Sequence, residues 1–349
     1  MNRILVTGGT GYIGSHTVVC LIEQGYDVVI VDDLSNSNKD VLDGIAAITG
    51  KAVPFEQVDC TDEQALERVF RNYPDIVAAI HFAASKAVGE SVEKPLLYYR
   101  NNILSLITLL ETMRRHNVSN LVFSSSCTVY GQPTSEHLPV DETAPIQQAL
   151  SPYGNTKQIN EEIIRDTAHA DKDLHATILR YFNPIGAHPS ALIGELPNGV
   201  PNNLLPFVTQ TAVGLRDKLR VFGNDYNTPD GSCIRDYIYV VDLAKAHVRA
   251  VERMLQRQTQ EQVEVFNLGT GRGLSVLEIL HTFMRVTGQT IPYEIAPRRE
   301  GDIEQVWANP KKANTVLGWK ADTPVEEVLQ SAWNWEKHIR GMRNESTKY

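Results

Sequence analysis

Short apolar runs alternate with helix-period segments through the first half of the chain. Residues 3–7 (Arg-Ile-Leu-Val-Thr) are β-rich, an apolar helical repeat runs from Ile13 to Leu21 and stops near Gly25, and residues 27–32 (Asp-Val-Val-Ile-Val-Asp) form a second apolar run. Runs that are apolar throughout, rather than alternating, suit strands of a parallel sheet covered by helices on both faces. The alternation continues with a strand expected at 52–58, ending beside Asp59, and a helix through Arg71 that Thr61 or Asp62 would cap. Further strands are expected at 75–82, 120–124 and 176–182, with a long helix over about 95–116. Ser151 is a good N-cap and Pro152 suits the first helical position, so another helix should begin there. Residues 183–203 carry Pro184, Pro189, Pro197 and Pro201 and show neither period. A loop of that length inside a compact domain is usually functional. Residues 266–271 read as a late strand returning to the first sheet. The pattern predicts an α/β chain with a doubly wound parallel sheet and a second, smaller α/β domain for substrate.

At 349 residues the chain exceeds the size at which a single core stops growing, which supports two domains. The expected division is 1–182, with a return segment at about 236–287, and 183–349. A net charge of −9 argues against a nucleic-acid footprint but not against a small anionic ligand, which needs only a local cluster of Arg. No stretch is apolar for long enough to span a bilayer, and no signal peptide precedes the first strand. Cys20, Cys60, Cys127 and Cys233 are scattered without ligand-like spacing, so neither a disulfide framework nor a metal site is expected. A cytoplasmic protein, with no membrane partner, follows as the expectation.

The candidate chemistry begins at Gly8-Gly9-Thr10-Gly11-Tyr12-Ile13-Gly14, directly after the first strand. Glycines at 8, 11 and 14 permit a tight turn, close approach of backbone to a pyrophosphate, and close helix–strand packing. The helix that follows offers unpaired N–H groups and a positive dipole end to phosphate. Asp32 closes the second strand, 18 residues after Gly14, where a carboxylate accepts hydrogen bonds from an adenosine ribose. Asp33 follows it and no Arg stands nearby for a 2′-phosphate, so NAD is favoured over NADP. This is a Rossmann-type arrangement, whose ligands lie at the carboxyl ends of the strands. Tyr153 and Lys157, four apart on one helix, could serve together as a general base, since a cation stabilises phenolate. By chemistry alone Ser124, Ser125 or Ser126 could share the oxygen charge. His81 stands in an apolar strand and reads as a packed histidine. Trp333 and Trp335, near the C-terminal end, read as packing.

The glycine turn, the serines closing the fifth strand and Tyr153-x-x-x-Lys157 resemble the extended short-chain dehydrogenase/reductase superfamily. The segments 81–91, 180–184, 201–204, 222–226, 235–237 and 298–302 are similar to those of the UDP-glucose 4-epimerase family, over nearly the whole chain. The resemblance implies reversible inversion at C4 of a UDP-hexose, through a transient 4-keto sugar and tightly bound NAD. It implies Tyr153, Lys157 and Ser126 as catalytic residues, Ser126 being selected as the serine two positions before Thr128. For NAD it implies contacts from Gly8, Gly11, Tyr12, Ile13, Gly14, Asp32, Asp33, Leu34, Ser35, Asn36 and Ser37. Asp59, Cys60, Phe82, Ala83, Ala84, Lys86, Asn101 and Phe182 complete that set, together with the catalytic three. For the UDP-sugar it implies Lys86, Ser126, Tyr153, Asn183, Asn203, Arg220, Val221, Phe222, Arg235, Arg299, Asp302 and Val306. Taken alone, Arg220 and Arg298 read as surface ion pairs. The family's related 4,6-dehydratases carry an Asp-Glu pair where this chain has Cys127-Thr128, which speaks against dehydration. A non-catalytic NAD sensor would have no reason to keep Ser126, Tyr153 and Lys157 together. Val306 stands where epimerases restricted to plain hexoses have Tyr, which implies that N-acetylated UDP-hexoses are also accepted. A homodimer, through helices near 95–116 and 153–169, is expected by the same resemblance.

Overall fold

The computed structural model describes residues 2–299 and 302–342. Its main sheet contains β1 (Arg3–Thr7), β2 (Asp27–Asp32), β3 (Phe55–Gln57), β4 (Ile76–His81), β5 (Asn120–Ser126) and β6 (His175–Tyr181). The first helices are α1 (Tyr12–Glu23), α2 (Val41–Thr49), α3 (Glu63–Asn72), α4 (Val88–Glu93), α5 (Pro95–Arg115) and α6 (Pro152–Ala170). Then come β7 (Asn183–Ile185), α7 (Leu204–Ala212), β8 (Leu219–Phe222), β9 (Ile234–Tyr239), α8 (Val240–Leu255) and β10 (Val263–Leu268). The chain continues with β11 (Gly273–Ser275), α9 (Val276–Thr287), β12 (Tyr293–Ala296), β13 (Gln305–Val306) and α10 (Val325–Ile339).

Seven parallel strands run in the order β10-β6-β5-β4-β1-β2-β3. Successive residues of β1 serve opposite faces, as strand pleating requires. Ile4 and Val6 join a core with α1 and α8, whereas Leu5 joins one with α3, α5 and α6. The sheet order reverses between β1 and β4, which opens a crevice at their carboxyl ends, where doubly wound folds take ligands. A third core gathers α7, α9 and α10 around β8, β9 and β11.

Several expected strands change bounds, the late strand expected at 266–271 lying at Val263–Leu268. The run at 52–58 contracts to Phe55–Gln57, because Pro54 has no N–H for a ladder, although its carbonyl accepts from the Ile30 N–H at 2.9 Å. The fifth strand extends through Ser126, in register with Tyr181. The irregular segment after β6 contains one short strand, β7, parallel to β9. Of the two possible caps for α3, Asp62 serves, its Oδ1 accepting from the Ala65 N–H at 2.9 Å.

Candidate active site

The turn after β1 is built for a phosphate. A Cβ on Gly14 would lie 2.2 Å from the Gly8 carbonyl oxygen, and one on Gly8, whose φ is +70°, would lie 2.8 Å from the Ala83 nitrogen. Side chains cannot enter such spaces, so backbone from β1, α1 and the β4 loop converges there. No side chain caps α1 and no acid occupies its first turn, which leaves its N–H groups and positive dipole end available to an anion. Asp32, buried at the end of β2, accepts from the Thr10 N–H (3.1 Å), the Leu34 N–H (3.0 Å) and the Ser37 hydroxyl (3.0 Å). One cleft is lined by Gly8, Gly11, Tyr12, Ile13, Gly14, Asp32, Asp33, Ser35, Asn36, Ser37, Asp59, Cys60, Phe82, Ala83, Ala84, Lys86, Asn101, Tyr153 and Lys157. A glycine cradle, an uncapped helix end and a strand-terminal carboxylate suit the pyrophosphate and ribose of a dinucleotide. Leu34 supplies its N–H to Asp32 from just outside the lining, with a positive φ of 63°. Phe182 is buried outside the cleft with Val129, Tyr130 and Val306.

At the other end of this cleft, Ser151 caps α6 through the Gly154 N–H (3.1 Å), with Pro152 at the first helical position. Tyr153 and Lys157 therefore project together toward the carboxyl end of β5. Lys157 is buried and donates to the Ser124 carbonyl at 2.6 Å, and its Nζ lies 5.8 Å from the centre of the Tyr153 ring. Ser126 closes β5 near Tyr153, and its Oγ accepts from the Thr128 N–H at 3.2 Å. Burial pushes the Tyr153 phenol up to about 12, which the nearby Ser126 hydroxyl opposes. Burial sets this direction, and the stabilisation of phenolate expected from the Lys157 ammonium acts against it. Lys157 is itself lowered to about 8 by burial, which Glu161 opposes. His81 is packed, its Nδ1 2.8 Å from the Thr7 hydroxyl.

The remaining expected residues fall into separate groups outside the cleft lining. Arg235 on β9 pairs in register with Val306 on β13 and donates to the Ile234 carbonyl at 2.8 Å. Val306 is buried with Val129, Tyr130, Val140, Ala144, Phe182 and Ala308. Arg299 stacks 4.8 Å over the Phe222 ring and pairs with Asp302 at 3.1 Å. Glu300 and Gly301, within the same motif, lie outside the described residues. Arg220 is exposed and pairs with Glu294 at 3.2 Å, and Arg298 pairs with Asp225 at 2.7 Å, both as surface ion pairs. Val221 is buried on β8, Asn183 begins β7, and Asn203 donates to Glu195 at 2.6 Å.

Sequence reasoning missed three features. Val58, Ser85, Ser105 and Tyr181 also line the cleft, and the Tyr181 hydroxyl bonds that of Ser124, one of the three serines expected there. Glu161, four residues beyond Lys157, binds Arg180 through two bonds (2.8 and 2.5 Å) and accepts from the Ser125 hydroxyl at 2.6 Å. Its 153-157-161 spacing was a usable signal. Glu195 carried no local pattern. Among the described residues no cluster suits a metal ion, all four cysteines are free, and no helix is long and apolar enough to cross a membrane.

A doubly wound sheet with this glycine cradle and a Ser–Tyr–Lys constellation at its carboxyl edge defines a protein of the short-chain dehydrogenase/reductase class. Residues 5–332 match the family model described as GDP-mannose 4,6 dehydratase. The chain is 51% identical, over 96% of its length, to a bifunctional protein of Pachysolen tannophilus, of which it spans 49%. It is also 51% identical, over 96% of its length and 94% of the relative's, to a UDP-glucose 4-epimerase of Schizosaccharomyces pombe. The solved UDP-glucose 4-epimerase from Bifidobacterium longum, in complex with NAD+ and UDP, matches with a TM-score of 0.92 at 46% identity, covering 97% of this chain and 99% of that one. The chain belongs to the UDP-glucose 4-epimerase family.

Proposed function

We propose that this chain interconverts UDP-galactose and UDP-glucose by reversible inversion at C4, with NAD retained in the cleft. The observation that carries the reading is that Tyr153 and Lys157 line the end of the glycine-cradled cleft, with Ser126 closing the adjoining strand β5. When bound there, NAD supplies the hydride acceptor and a positively charged ring. Tyr153 removes the proton from the 4-hydroxyl, and returns it after the keto sugar has turned its other face. Bringing a phenol from about 12 to near 7 requires roughly 7 kcal/mol of favourable charge interaction, more than an exposed tyrosine would need. Lys157 contributes part of this as a fixed cation, held to β5 by the Ser124 carbonyl. Ser126 donates to the 4-oxygen as charge develops. Dehydration is disfavoured because burial pushes the Cys127 thiol up to about 12 and Thr128 has no acidic function.

In this reading residues 1–182, with the return segment, hold NAD, and 183–349 hold the UDP-sugar, with Arg235 and Arg299 on its phosphates. The reading extends to UDP-N-acetylglucosamine and UDP-N-acetylgalactosamine, since the smaller Val306 stands beside Arg235 where epimerases restricted to plain hexoses carry Tyr. It includes a homodimer, supported by exposed Val92, Leu96, Leu97 and Leu104 on α4 and α5, and a cytoplasmic location, supported by four free thiols.

Purified protein mixed with UDP-galactose and followed by proton NMR tests the assignment. UDP-glucose should appear without added NAD. A 4-keto-6-deoxy product, or no change, overturns it. Tyr153→Phe should lower kcat by about 10²- to 10⁴-fold with the circular dichroism spectrum unchanged. Val306→Tyr should lose the N-acetylated substrates while retaining UDP-galactose, and a variant that keeps both removes the specificity reading.

A further inference from the structure

We propose that Glu195 is a positioning residue that holds Lys86 and Asn203, one from each half of the chain, where they meet ligand. The inference rests on the UDP-sugar reading above. A single oxygen of Glu195, Oε1, accepts from Asn203 Nδ2 at 2.6 Å and faces Lys86 Nζ at 3.8 Å. Lys86 lines the dinucleotide cleft, and Asn203 stands at the head of α7.

Asn203 breaks a local rule to make this contact. It is the N-cap of α7, where an asparagine side chain ordinarily accepts from the backbone two or three residues on, yet it makes no capping bond. The bond to Glu195 draws it away from the helix, and local rules are given up where function or strain demands it. Lys86 is held differently. At 3.8 Å it is ion-paired but beyond hydrogen-bond distance, so its three donors remain available. Its ammonium lies 6.0 Å from the centre of the Tyr12 ring, beside the uncapped first turn of α1. The side chain of Glu195 is only 11% exposed, against 49% for Lys86, so an inner anion restrains an outer cation.

The backbone beneath Glu195 is fixed from two sides. Its carbonyl accepts from Trp335 Nε1 at 2.9 Å, and a Cβ on neighbouring Gly194 would lie 2.5 Å from that indole. On the other side, the Leu192 carbonyl abuts Gly44 of α2, where a Cβ would lie 2.6 Å away. Glu195 is thus a strut anchored to both α2 and α10. An acid whose partner lysine lines an anion-binding cleft repels such a ligand unless it organises cations and donors, which is what its two partners are. Without it, Asn203 is free to turn back and cap α7, and Lys86 loses its restraint.

Titration of the holoprotein with UDP and steady-state kinetics with UDP-galactose test the assignment in Glu195→Ala, Glu195→Gln and Asn203→Ala variants. Glu195→Ala should raise the UDP dissociation constant and the KM about tenfold while kcat stays within twofold. Glu195→Gln, which keeps the acceptor but not the charge, should fall between it and wild type. Glu195→Ala/Asn203→Ala should be no weaker than the worse single variant. Wild-type affinity in Glu195→Ala, a fall in kcat with KM unchanged, or multiplicative losses in the double variant would each overturn the proposal. Should Glu195→Ala not fold, the same readings on Glu195→Gln decide it. A wild-type protein that binds UDP but leaves UDP-galactose unchanged defeats the epimerase reading alone, and the UDP titrations still judge Glu195.

Discussion

Replacing Glu161 by Gln changes almost nothing in shape and one unit of buried charge. Glu161 and Arg180 have side chains 6% and 4% exposed and share two hydrogen bonds, while Lys157 lies one turn back on the same helix. The nearest further cation, Arg165, reaches Glu161 at 3.5 Å from a half-exposed position. In the variant, Arg180 and Lys157 remain buried with no anion between them. Removing one partner of a buried pair costs about 3–5 kcal/mol, a large part of the roughly 5–15 kcal/mol that stabilises a protein. With an m-value of about 3 kcal/mol/M, the urea midpoint should fall by roughly 1 to 1.7 M. Glu161→Gln/Arg180→Met removes the orphaned cation and should recover more than half of that loss. Catalysis should respond as well, because Glu161 opposes the burial that already lowers Lys157 to about 8. Without the carboxylate the Lys157 ammonium is lowered further, so activity that depends on this cation should be lost at a lower pH than in the wild type. Urea unfolding followed by circular dichroism, with kcat measured from pH 6 to 9, checks both parts. A midpoint shift below about 0.3 M, or a double variant no better than the single, would refute the reasoning.

Gly14→Ala should remove bound NAD, because its Cβ would stand 2.2 Å from the Gly8 carbonyl oxygen; the absorbance ratio at 260 and 280 nm after gel filtration checks it, and a variant that retains NAD would contradict the cradle. Stability should fall on acidification. His16, His81 and His247 are lowered by burial to about 3, 3 and 4, below the unfolded value near 6.5, so the unfolded chain takes up protons first. Their contribution is intact above about pH 6.5 and shrinks by about 1.4 kcal/mol per histidine for each pH unit below it. A thermal midpoint equal at pH 7.5 and pH 5.5 would exclude this.

The sheet was legible because strands buried on both faces must be apolar throughout, so Val28–Val31 and Ile76–Ile80 announce themselves without alternation. The glycine turn was legible for a different reason: Gly14 occupies a space that no other residue fits. What escaped was long-range. Nothing near Glu195 says that Trp335 will hold its carbonyl or that Asn203 will leave its cap. Four-residue spacing placed Tyr153 and Lys157 on one face, but the burial that pushes the Tyr153 phenol up belongs to the folded chain and carries no local signal. The second half was harder to read because its strands are short and pair across distant segments, as Val306 does with Arg235.

The position of β10 at the rim of the main sheet bears on how the polypeptide is made. β6 is bonded by β5 on one side and, over Ala176 to Tyr181, by β10 on the other. A ribosome that has released only the first 182 residues has produced six strands of the seven, with β6 as an open edge of unpaired amides and carbonyls. The α1 face is bare at that stage too, because its α8 cover has yet to emerge. Such an edge recruits strands from neighbouring chains. Truncation after residue 182 should therefore yield aggregates rather than a smaller soluble dinucleotide-binding fragment, and nascent chains should need a chaperone until about residue 268 has cleared the exit tunnel.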